Sequence, residues 1–371
     1  MKKVLFSLLV FAINLHAEGL KNLGVGAPKE PRFKVTDRVW ATTPGEASVC
    51  LWKDDKLCAV SYTSDTAMSN PPKDDPSAKS DVDWWVEICE KYGFKKTWFV
   101  VTSKIGPRLP FGTWEQKQKL VALGHDVQSH SVTHRSKDID MPVEQDYKDS
   151  IAPIEENIKG HRCLTLAYPG GGLANDQEIA ARHFIAARSG TGQINRPAEI
   201  NYMATHSLGG GIGLDEVRPD GRRNWAYIGD TLDPKHRNFR GWACTHFHGM
   251  PKDLREAVEK QFQYLKENEK DFWVGTFTEV VKYGQQHDTA ELKVTKNEPE
   301  EIALLLTSKM DPELFDYPLT VKVCVPKDWK NVTAKQAGKE IESKLVEHED
   351  HKYALVQIIP DRGEINLVPS N

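Results

Sequence analysis

Strand-like and helix-like segments alternate along residues 47–287, and this alternation restricts the chain to few folds. Residues 48–52 and 57–62 have the composition of two strands, separated by a turn at 53–56. Residues 84–92 then place apolar side chains at helical spacing, and similar strand and helix segments follow. Repeated units of this kind form a parallel sheet covered by helices, either a (β/α) barrel or a doubly wound sheet.

The pattern changes beyond residue 290, where long helices give way to short apolar alternations. Strands are predicted at 302–306, 319–325, 353–359 and 365–368. Several follow the period-two pattern of strands with one buried face. The sequence therefore predicts an extended arm at 18–46, an α/β domain at 47–287 and a small all-β sandwich at 291–371 that folds independently.

Two histidines four residues apart, His130 and His134, follow a helix predicted at 113–123 and ended by Gly124. Neutral imidazole is the commonest metal ligand at physiological pH, and two at this spacing can converge on one ion. With 13 histidines in 371 residues, such a pair also arises easily by chance, so the motif needs support from elsewhere in the chain.

Further polar residues follow other predicted strands. They are Asp65, the loop Tyr168-Pro169-Gly170, and the pair His246 and His248. Because chemistry in parallel sheets gathers at the carboxyl ends of the strands, we expect these residues to lie beside His130 and His134. His246 shares a strand face with His248, so it either orients His248, contacts substrate, or is simply hydrogen-bonded at the strand end.

Residues 1–17 predict an export signal. Lys2 and Lys3 precede an apolar run too short to span a bilayer, which ends at the small residue Ala17. No later segment is apolar enough to cross a membrane, and a net charge of −4 gives no sign of nucleic-acid binding. The chain is therefore expected to be exported, either periplasmic or secreted.

Six cysteines would permit disulfides in an exported chain. Four of them, however, lie in apolar strand-like runs: Cys58, Cys163, Cys244 and Cys324. At such positions a buried free thiol is as good an interpretation as a disulfide, and no spacing suggests a cysteine zinc site.

Together these residues resemble the NodB-type polysaccharide deacetylases, carbohydrate esterase family 4, over roughly residues 55–287. The family's His-Ser-x-x-His motif is matched completely by His130-Ser131-Val132-Thr133-His134. Its Thr-Phe-Asp-Asp motif is met in part by Thr63-Ser64-Asp65-Thr66, its Pro-Tyr-Gly loop loosely by Tyr168-Pro169-Gly170, and its closing strand by residues 242–248. The resemblance implies a distorted (β/α) barrel, here followed by the all-β sandwich.

The resemblance also implies a hydrolase that removes acetyl groups from an acetylated poly- or oligosaccharide, with zinc as the expected divalent metal. In this interpretation Asp65, His130 and His134 bind the metal, Asp65 or a neighbour is the base, and His248 is the acid. Tyr168, Pro169, Gly170 and His246 would contact substrate. A metal with an open coordination position brings the pKa of its water towards about 7, and the base and acid then move the protons.

The first motif departs from the family, which uses two adjacent acids. Only Asp65 is present, between Ser64 and Thr66. In the ungapped register Asp65 is the base and Thr66 replaces the metal-binding acid, whereas in the shifted register Ser64 replaces the base and Asp65 binds the metal. Asp74 or Asp75 could substitute for the missing acid. The alternative function is a pseudo-enzyme that binds glycans in the same groove without cleaving them.

Overall fold

The computed structural model describes residues 19–66, 79–107, 110–135, 138–172 and 176–370. The predicted export signal, Asp74 and Asp75 lie outside these residues. Two units are built from the described chain, a parallel sheet covered by helices and a pair of antiparallel sheets.

The first part of the chain contains nine strands and seven helices within the described residues. The strands are β1 (Ala47–Val49), β2 (Cys58–Asp65), β3 (Thr97–Val100), β4 (Asp126–Ser129), β5 (Thr165–Ala167), β6 (Ala186–Arg188), β7 (Leu208–Gly209), β8 (Trp242–Phe247) and β9 (Phe272–Val274). The helices are α1 (Asp81–Tyr92), α2 (Trp114–Ala122), α3 (Val143–Lys148), α4 (Ile151–Asn157), α5 (Asp176–Ala181), α6 (Lys252–Glu267) and α7 (Phe277–Asp288).

The parallel sheet is centred on β2. Its strand order is β6-β5-β4-β3-β2-β8-β7, with parallel pairing throughout, and β9 pairs with the first half of β2. All eight residues of β2 are buried, as expected for a strand covered on both faces. The sheet curls into part of a barrel, which confirms the predicted distorted (β/α) barrel.

The remaining strands form the predicted sandwich. They are β10 (Glu291–Glu298), β11 (Glu301–Thr307), β12 (Leu319–Val325), β13 (Asn331–Gln336), β14 (Lys339–Ile341), β15 (Ser343–His348), β16 (His351–Ile358) and β17 (Ile365–Ser370). They make two antiparallel sheets with the orders β1-β12-β16-β15 and β10-β11-β17-β13-β14. The additional all-β region is therefore confirmed.

The first strand belongs to this sandwich and not to the α/β unit. β1 pairs antiparallel with β12, with Ala47 opposite Val323, whereas residues 53–55 form a short 3₁₀ turn that leads into β2. The arm also contacts the sandwich, because the Tyr353 hydroxyl donates to the Ala41 carbonyl at 2.9 Å. The expectation that 48–52 opens the α/β domain was wrong because its pairing partner lies far along the chain.

The two units share one apolar core. Trp52, Trp242 and Phe277 cluster with sandwich residues such as Leu319 and Val321, all fully or almost fully buried. At the same boundary Lys322 pairs with Asp55 at 2.6 Å between side chains that are at most 7% exposed. The sandwich is thus continuous with the α/β core, in contrast to the expected independent domain.

Two helices differ from their predictions. Residues 147–158 carry an apolar stripe at helical spacing, in which Pro153 predicts either a first turn or a kink. The structure divides this stripe between α3 and α4 and places Pro153 in the first turn of α4, where its missing N–H costs least. The last helix, predicted at 278–283, extends to Asp288. All six cysteines are free and buried. None of the helices in the described part of the chain is long and apolar enough to cross a lipid bilayer.

Candidate functional site

The carboxyl ends of the central strands bring the predicted site residues together. Asp65 is the last residue of β2, and His130 directly follows β4. His246 lies near the end of β8, and His248 directly follows that strand. The His130 and His248 imidazoles both approach the Asp65 carboxylate, with Nε2 at 4.0 and 3.8 Å from Oδ2.

Asp65 is held by Arg188, which the sequence analysis did not identify. Arg188 ends β6, and its Nη2 donates to Asp65 Oδ1 at 2.5 Å and also to Oδ2. Both side chains are almost fully buried. Burial alone would raise the pKa of Asp65, but the Arg188 guanidinium and His130 outweigh it and lower this pKa to about 2. Asp65 is therefore a carboxylate at neutral pH.

Arg188 also connects Asp65 to the far side of the site. Its Nη1 donates to Ser207 Oγ at 3.1 Å, and Ser207 Oγ lies 2.9 Å from His246 Nδ1. The guanidinium lies 5.3 Å from the centroid of the Phe99 ring. His246 is thus part of a hydrogen-bonded chain that runs through Ser207 and Arg188 to the Asp65 carboxylate. These contacts match a histidine hydrogen-bonded at the strand end, and the roles of orienting His248 or contacting substrate stay predictions.

His130 presents a free lone pair to the site. Its Nδ1 lies 2.8 Å from the Ala167 carbonyl, which can only accept, so Nδ1 carries the proton. Nε2 is buried without a hydrogen-bond partner among the described residues. Burial lowers the pKa of His130 to about 4, so the ring is neutral at pH 7. A neutral imidazole oriented by a backbone carbonyl is the form that binds metals.

A tight loop after β4 brings the His134 imidazole next to that of His130. Ser131 and His134 both adopt positive φ, 69° and 59°, and the Ser131 hydroxyl accepts from the His134 N–H at 2.9 Å. Asp146 anchors the loop by accepting from the Thr133 N–H at 2.7 Å. The His130 and His134 ring centroids are 4.7 Å apart. The motif therefore brings two imidazoles together from a folded loop that follows β4.

Ser64 lies on the opposite face of β2. Its hydroxyl accepts from the Lys96 ammonium, which is fully buried and lies 3.5 Å from the centroid of the Trp85 ring. Burial holds the pKa of Lys96 well below its usual range. Successive side chains of a strand point to opposite faces. Asp65 is therefore the side chain that faces the histidines, an arrangement that suits the ungapped register.

The Tyr168 loop borders a cleft of about 340 Å³ beside the site. The Tyr168 ring is buried, and its hydroxyl donates to the Met203 carbonyl at 2.7 Å. Pro169 is buried in a 3₁₀ turn in which Gly170 adopts a φ of 65°. Tyr168 lines the cleft, while Gly170 is exposed. In this geometry the backbone of the loop, more than the tyrosine hydroxyl, is available to a ligand.

The residues fit a divalent ion in part. The unpartnered Nε2 of His130 and the adjacent His134 ring are suitable donors, but no group of three His, Cys, Asp or Glu side chains within the described ranges is arranged to hold a metal. Ligands of a tetrahedral zinc lie about 3.3 Å apart, whereas Asp65 Oδ2 is 4.0 Å from His130 Nε2. Asp65 would have to leave Arg188 partly to become a ligand.

Fold and site together define a class: a curled parallel α/β domain with a carboxylate–imidazole cluster at the carboxyl ends of its strands, suited to hydrolysis. Residues 74–184 match the family model for polysaccharide deacetylase. The chain therefore carries a domain of the polysaccharide deacetylase family, which confirms its resemblance to the NodB-type enzymes.

Other proteins resemble longer parts of the chain. It is 34% identical over 381 residues to gellan lyase from Bacillus sp., covering 96% of this chain and 15% of that protein. The chain thus spans a small part of the length of that relative. A family 4 carbohydrate esterase from Bacillus anthracis is 13% identical over 61% of this chain and 83% of its own, with a TM-score of 0.38. The peptidoglycan deacetylase PdaC from Bacillus subtilis is 16% identical over 61% and 92%, with a TM-score of 0.36.

Proposed function

We propose that this domain removes acetyl groups from an acetylated poly- or oligosaccharide with the help of a divalent metal ion. The observation that carries the proposal is the buried Nε2 of His130, which has no hydrogen-bond partner among the described residues and lies beside His134 and Asp65. A buried polar atom without a partner is costly, and a ligand at this position would offset the cost.

His130 and His134 are the proposed metal ligands, and Asp65 would become a third ligand only if its contact with Arg188 were released. When bound, the ion supplies Lewis acidity that polarises the acetyl carbonyl and makes water more acidic. Asp65, kept ionised by Arg188, accepts a proton from the attacking water. His248 Nε2 donates a proton to the departing sugar oxygen or nitrogen. While Arg188 engages both carboxylate oxygens, Asp65 is held away from the metal, and the base role is the one proposed for it. A pKa of about 2 makes Asp65 a weak base as long as this contact lasts.

The polymer would enter along the cleft beside the Tyr168 loop, which Gly171 and Gly172 line without side chains. Acetylated glycans are the substrate class, and acetylated gellan is one substrate to test because the gellan lyase relative is similar over most of this chain. We also propose that residues 1–17 direct export, so that the domain meets its polymer outside the cytoplasm.

The test combines metal content with acetate release. Full-length protein purified without chelator should contain about one equivalent of zinc and release acetate from acetylated oligosaccharides, and dialysis against a chelator should abolish this release. His130→Ala should lose the metal, and His248→Ala should keep it while slowing release by about 10²–10⁴-fold. The control His183→Gln changes a histidine that pairs with Glu144 outside the site and should behave like wild type.

A glycan-binding pseudo-enzyme is the second candidate, favoured by Thr66 at the position of the second acid and by the engagement of Asp65 with Arg188. A protein that binds zinc and acetylated oligosaccharide but releases no acetate would establish this alternative. A protein that stays free of metal after exposure to excess zinc would overturn the metal-dependent proposal.

A further inference from the structure

Trp225 is the most exposed large aromatic side chain among the described residues, with 53% of its surface accessible. It lies in the long loop between β7 and β8. Burying an indole contributes more than burying most side chains, so an exposed one at the edge of a cleft commonly marks a binding surface.

The loop holds Trp225 in a defined position. The neighbouring Asn224 donates its backbone N–H to the Glu216 carbonyl at 2.6 Å, and its side-chain amide donates to the Asp215 carbonyl at 3.2 Å. The indole also packs closely on Gly192, where a β-carbon would come within 2.9 Å of the ring. The ring is therefore preorganised before any ligand arrives.

Two clefts flank the indole. The inner cleft, about 330 Å³, is floored by Gly209–Gly213 and bordered by Arg218. The outer cleft, about 270 Å³, is lined by Arg223, His236 and Arg237 among others. The inner cleft begins at the site described above, because Gly209 pairs with His246 and the Gly210 N–H donates to the His246 carbonyl at 3.1 Å.

The linings of the two clefts contain more basic than acidic side chains. The buried Asp230 is already engaged, with Arg223 at 2.6 Å and His236 at 3.6 Å. Among the described residues, the Arg218 side chain forms an ion pair only with Asp220, at 3.6 Å between exposed groups. Such pairs are worth little, so an incoming anion can displace Asp220. Arg237 is exposed and makes no ion pair with the residues that the structure describes. Each cleft therefore offers one available guanidinium beside an aromatic platform.

We propose that Trp225 and its two flanking clefts bind a pyranose ring whose neighbours along the chain carry carboxylates, so that the polysaccharide of this domain is acidic. The indole would stack on the apolar face of the sugar ring. Arg218 and Arg237 would each bind a carboxylate, for which a guanidinium has matching geometry. This inference rests on the proposed function in naming the polymer class, although the binding itself requires no acetyl group.

A matched pair of probes tests the proposal: an unacetylated hexamer of galacturonate, and the same hexamer with every carboxylate methyl-esterified. Calorimetry on the full chain should show the acidic hexamer binding at least about tenfold more tightly than its neutral ester. Trp225→Ala should weaken the acidic hexamer at least about tenfold, and Trp225→Tyr should retain most of the affinity. Val217→Ala, at an exposed position of the same loop, is the control and should bind like wild type.

The double variant Arg218→Gln/Arg237→Gln should reduce binding of the acidic hexamer to the level of the ester and leave the ester unaffected, which tests the charge contribution separately from the indole. Equal affinities for the two hexamers, unchanged binding by Trp225→Ala, or no binding of the acidic hexamer at millimolar concentration would each overturn the inference. Because neither probe carries acetyl groups, hexamer binding tests the cleft alone. A protein that binds the acidic hexamer but releases no acetate from acetylated oligosaccharides would refute the deacetylase and leave the acidic-glycan cleft standing.

Discussion

The Arg188 guanidinium contacts Asp65, Ser207 and Phe99, so one buried side chain fixes both the charge and the direction of the carboxylate. A divalent ion between His130 and Asp65 would have to compete with this contact. The single residue Arg188 therefore determines whether the Asp65 oxygens are available to bind a metal ion.

Replacing this side chain should separate metal binding from stability. Arg188→Gln should tighten zinc binding several-fold, because Asp65 becomes free to act as a ligand, and should lower the free energy of unfolding by about 3–5 kcal/mol, because a buried ion pair loses one partner. Competition with a chelating dye and chemical denaturation measure the two effects. Arg182→Gln, which breaks an exposed pair with Glu144, should change both only slightly. Zinc affinity that is unchanged or weaker in Arg188→Gln would show that Arg188 does not compete with the ion.

Thr66 offers a second test at the same scale. It adopts a φ of 53°, a conformation that β-branched residues disfavour and that Asp and Asn tolerate better. Thr66→Asp should raise zinc affinity at least about tenfold by restoring an anionic ligand. Both Thr66→Asp and Thr66→Asn should increase stability, because they relieve the backbone conformation, but Thr66→Asn adds no charge. Dye competition on both variants isolates the ligand effect. Equal zinc affinities in the two would show that position 66 does not reach the ion.

Some residues of this site can be predicted from the sequence and others cannot. His130 and His134 are recognisable because their spacing is local, and Asp65 because it ends an apolar strand. Arg188 has the same placement as Asp65, at the end of its own strand. The sequence predicts an extended segment over 184–187, but it does not mark the arginine that follows as part of the site. Its role depends on Asp65, which is 123 positions away, and no local pattern encodes such a contact.

At the scale of the element, α7 is a helix buried on two sides, by the parallel sheet and by the sandwich. Its two adjacent glutamines are both fully buried but differ in their partners. Gln285 accepts from the Leu23 N–H and donates to the Ile185 carbonyl, each at 3.0 Å. Gln286 has no partner for either side-chain atom among the described residues. The same residue type therefore contributes oppositely at neighbouring positions of one helix.

Methionine substitutions should show this difference. Gln286→Met, which keeps the length of the side chain and removes unpaired polar atoms, should raise the free energy of unfolding by about 1–3 kcal/mol. Gln285→Met should lower it by a similar amount, because the Leu23 N–H and Ile185 carbonyl lose their partner. Denaturant titration of both variants gives the comparison. A destabilised Gln286→Met would indicate a water or polar group bound to Gln286.

Helices and strands could be predicted from the sequence where the pattern that indicates them lies within the element itself. The alternation of strands and helices identified the parallel sheet, and the period-two runs identified the sandwich. β1 was assigned to the wrong sheet because the sequence of its three residues, Ala47–Val49, does not indicate which strand they pair with. The division of 147–158 into α3 and α4 agrees with Pro153, which cannot lie in the interior of one continuous helix, but the apolar stripe does not show at which residue the break falls.

For the whole molecule, the shared core predicts a single unfolding event. Tyr283 of α7 donates to the Cys50 carbonyl at 2.7 Å and accepts from the Thr320 N–H at 3.3 Å, so the boundary is hydrogen-bonded as well as apolar. Calorimetry of the full chain should show one cooperative transition. A chain ending at Thr289 should be unstable, because Asp55 loses Lys322 and the apolar face of α7 becomes exposed. Two separate transitions, or a stable truncated chain, would show instead that the units fold independently.

The pairing of the arm and β1 with the sandwich also has a kinetic consequence. Ala41 and its hydrogen-bond partner Tyr353 lie 312 positions apart. At a synthesis rate of roughly 5–20 residues per second, the arm waits about 15–60 s before its partner is made. During that interval the edge of β1 is unpaired and open to other chains. The arm and β1 therefore cannot complete their pairing until residues 319–358 have been made, and whatever protects them in the meantime affects the yield of native protein.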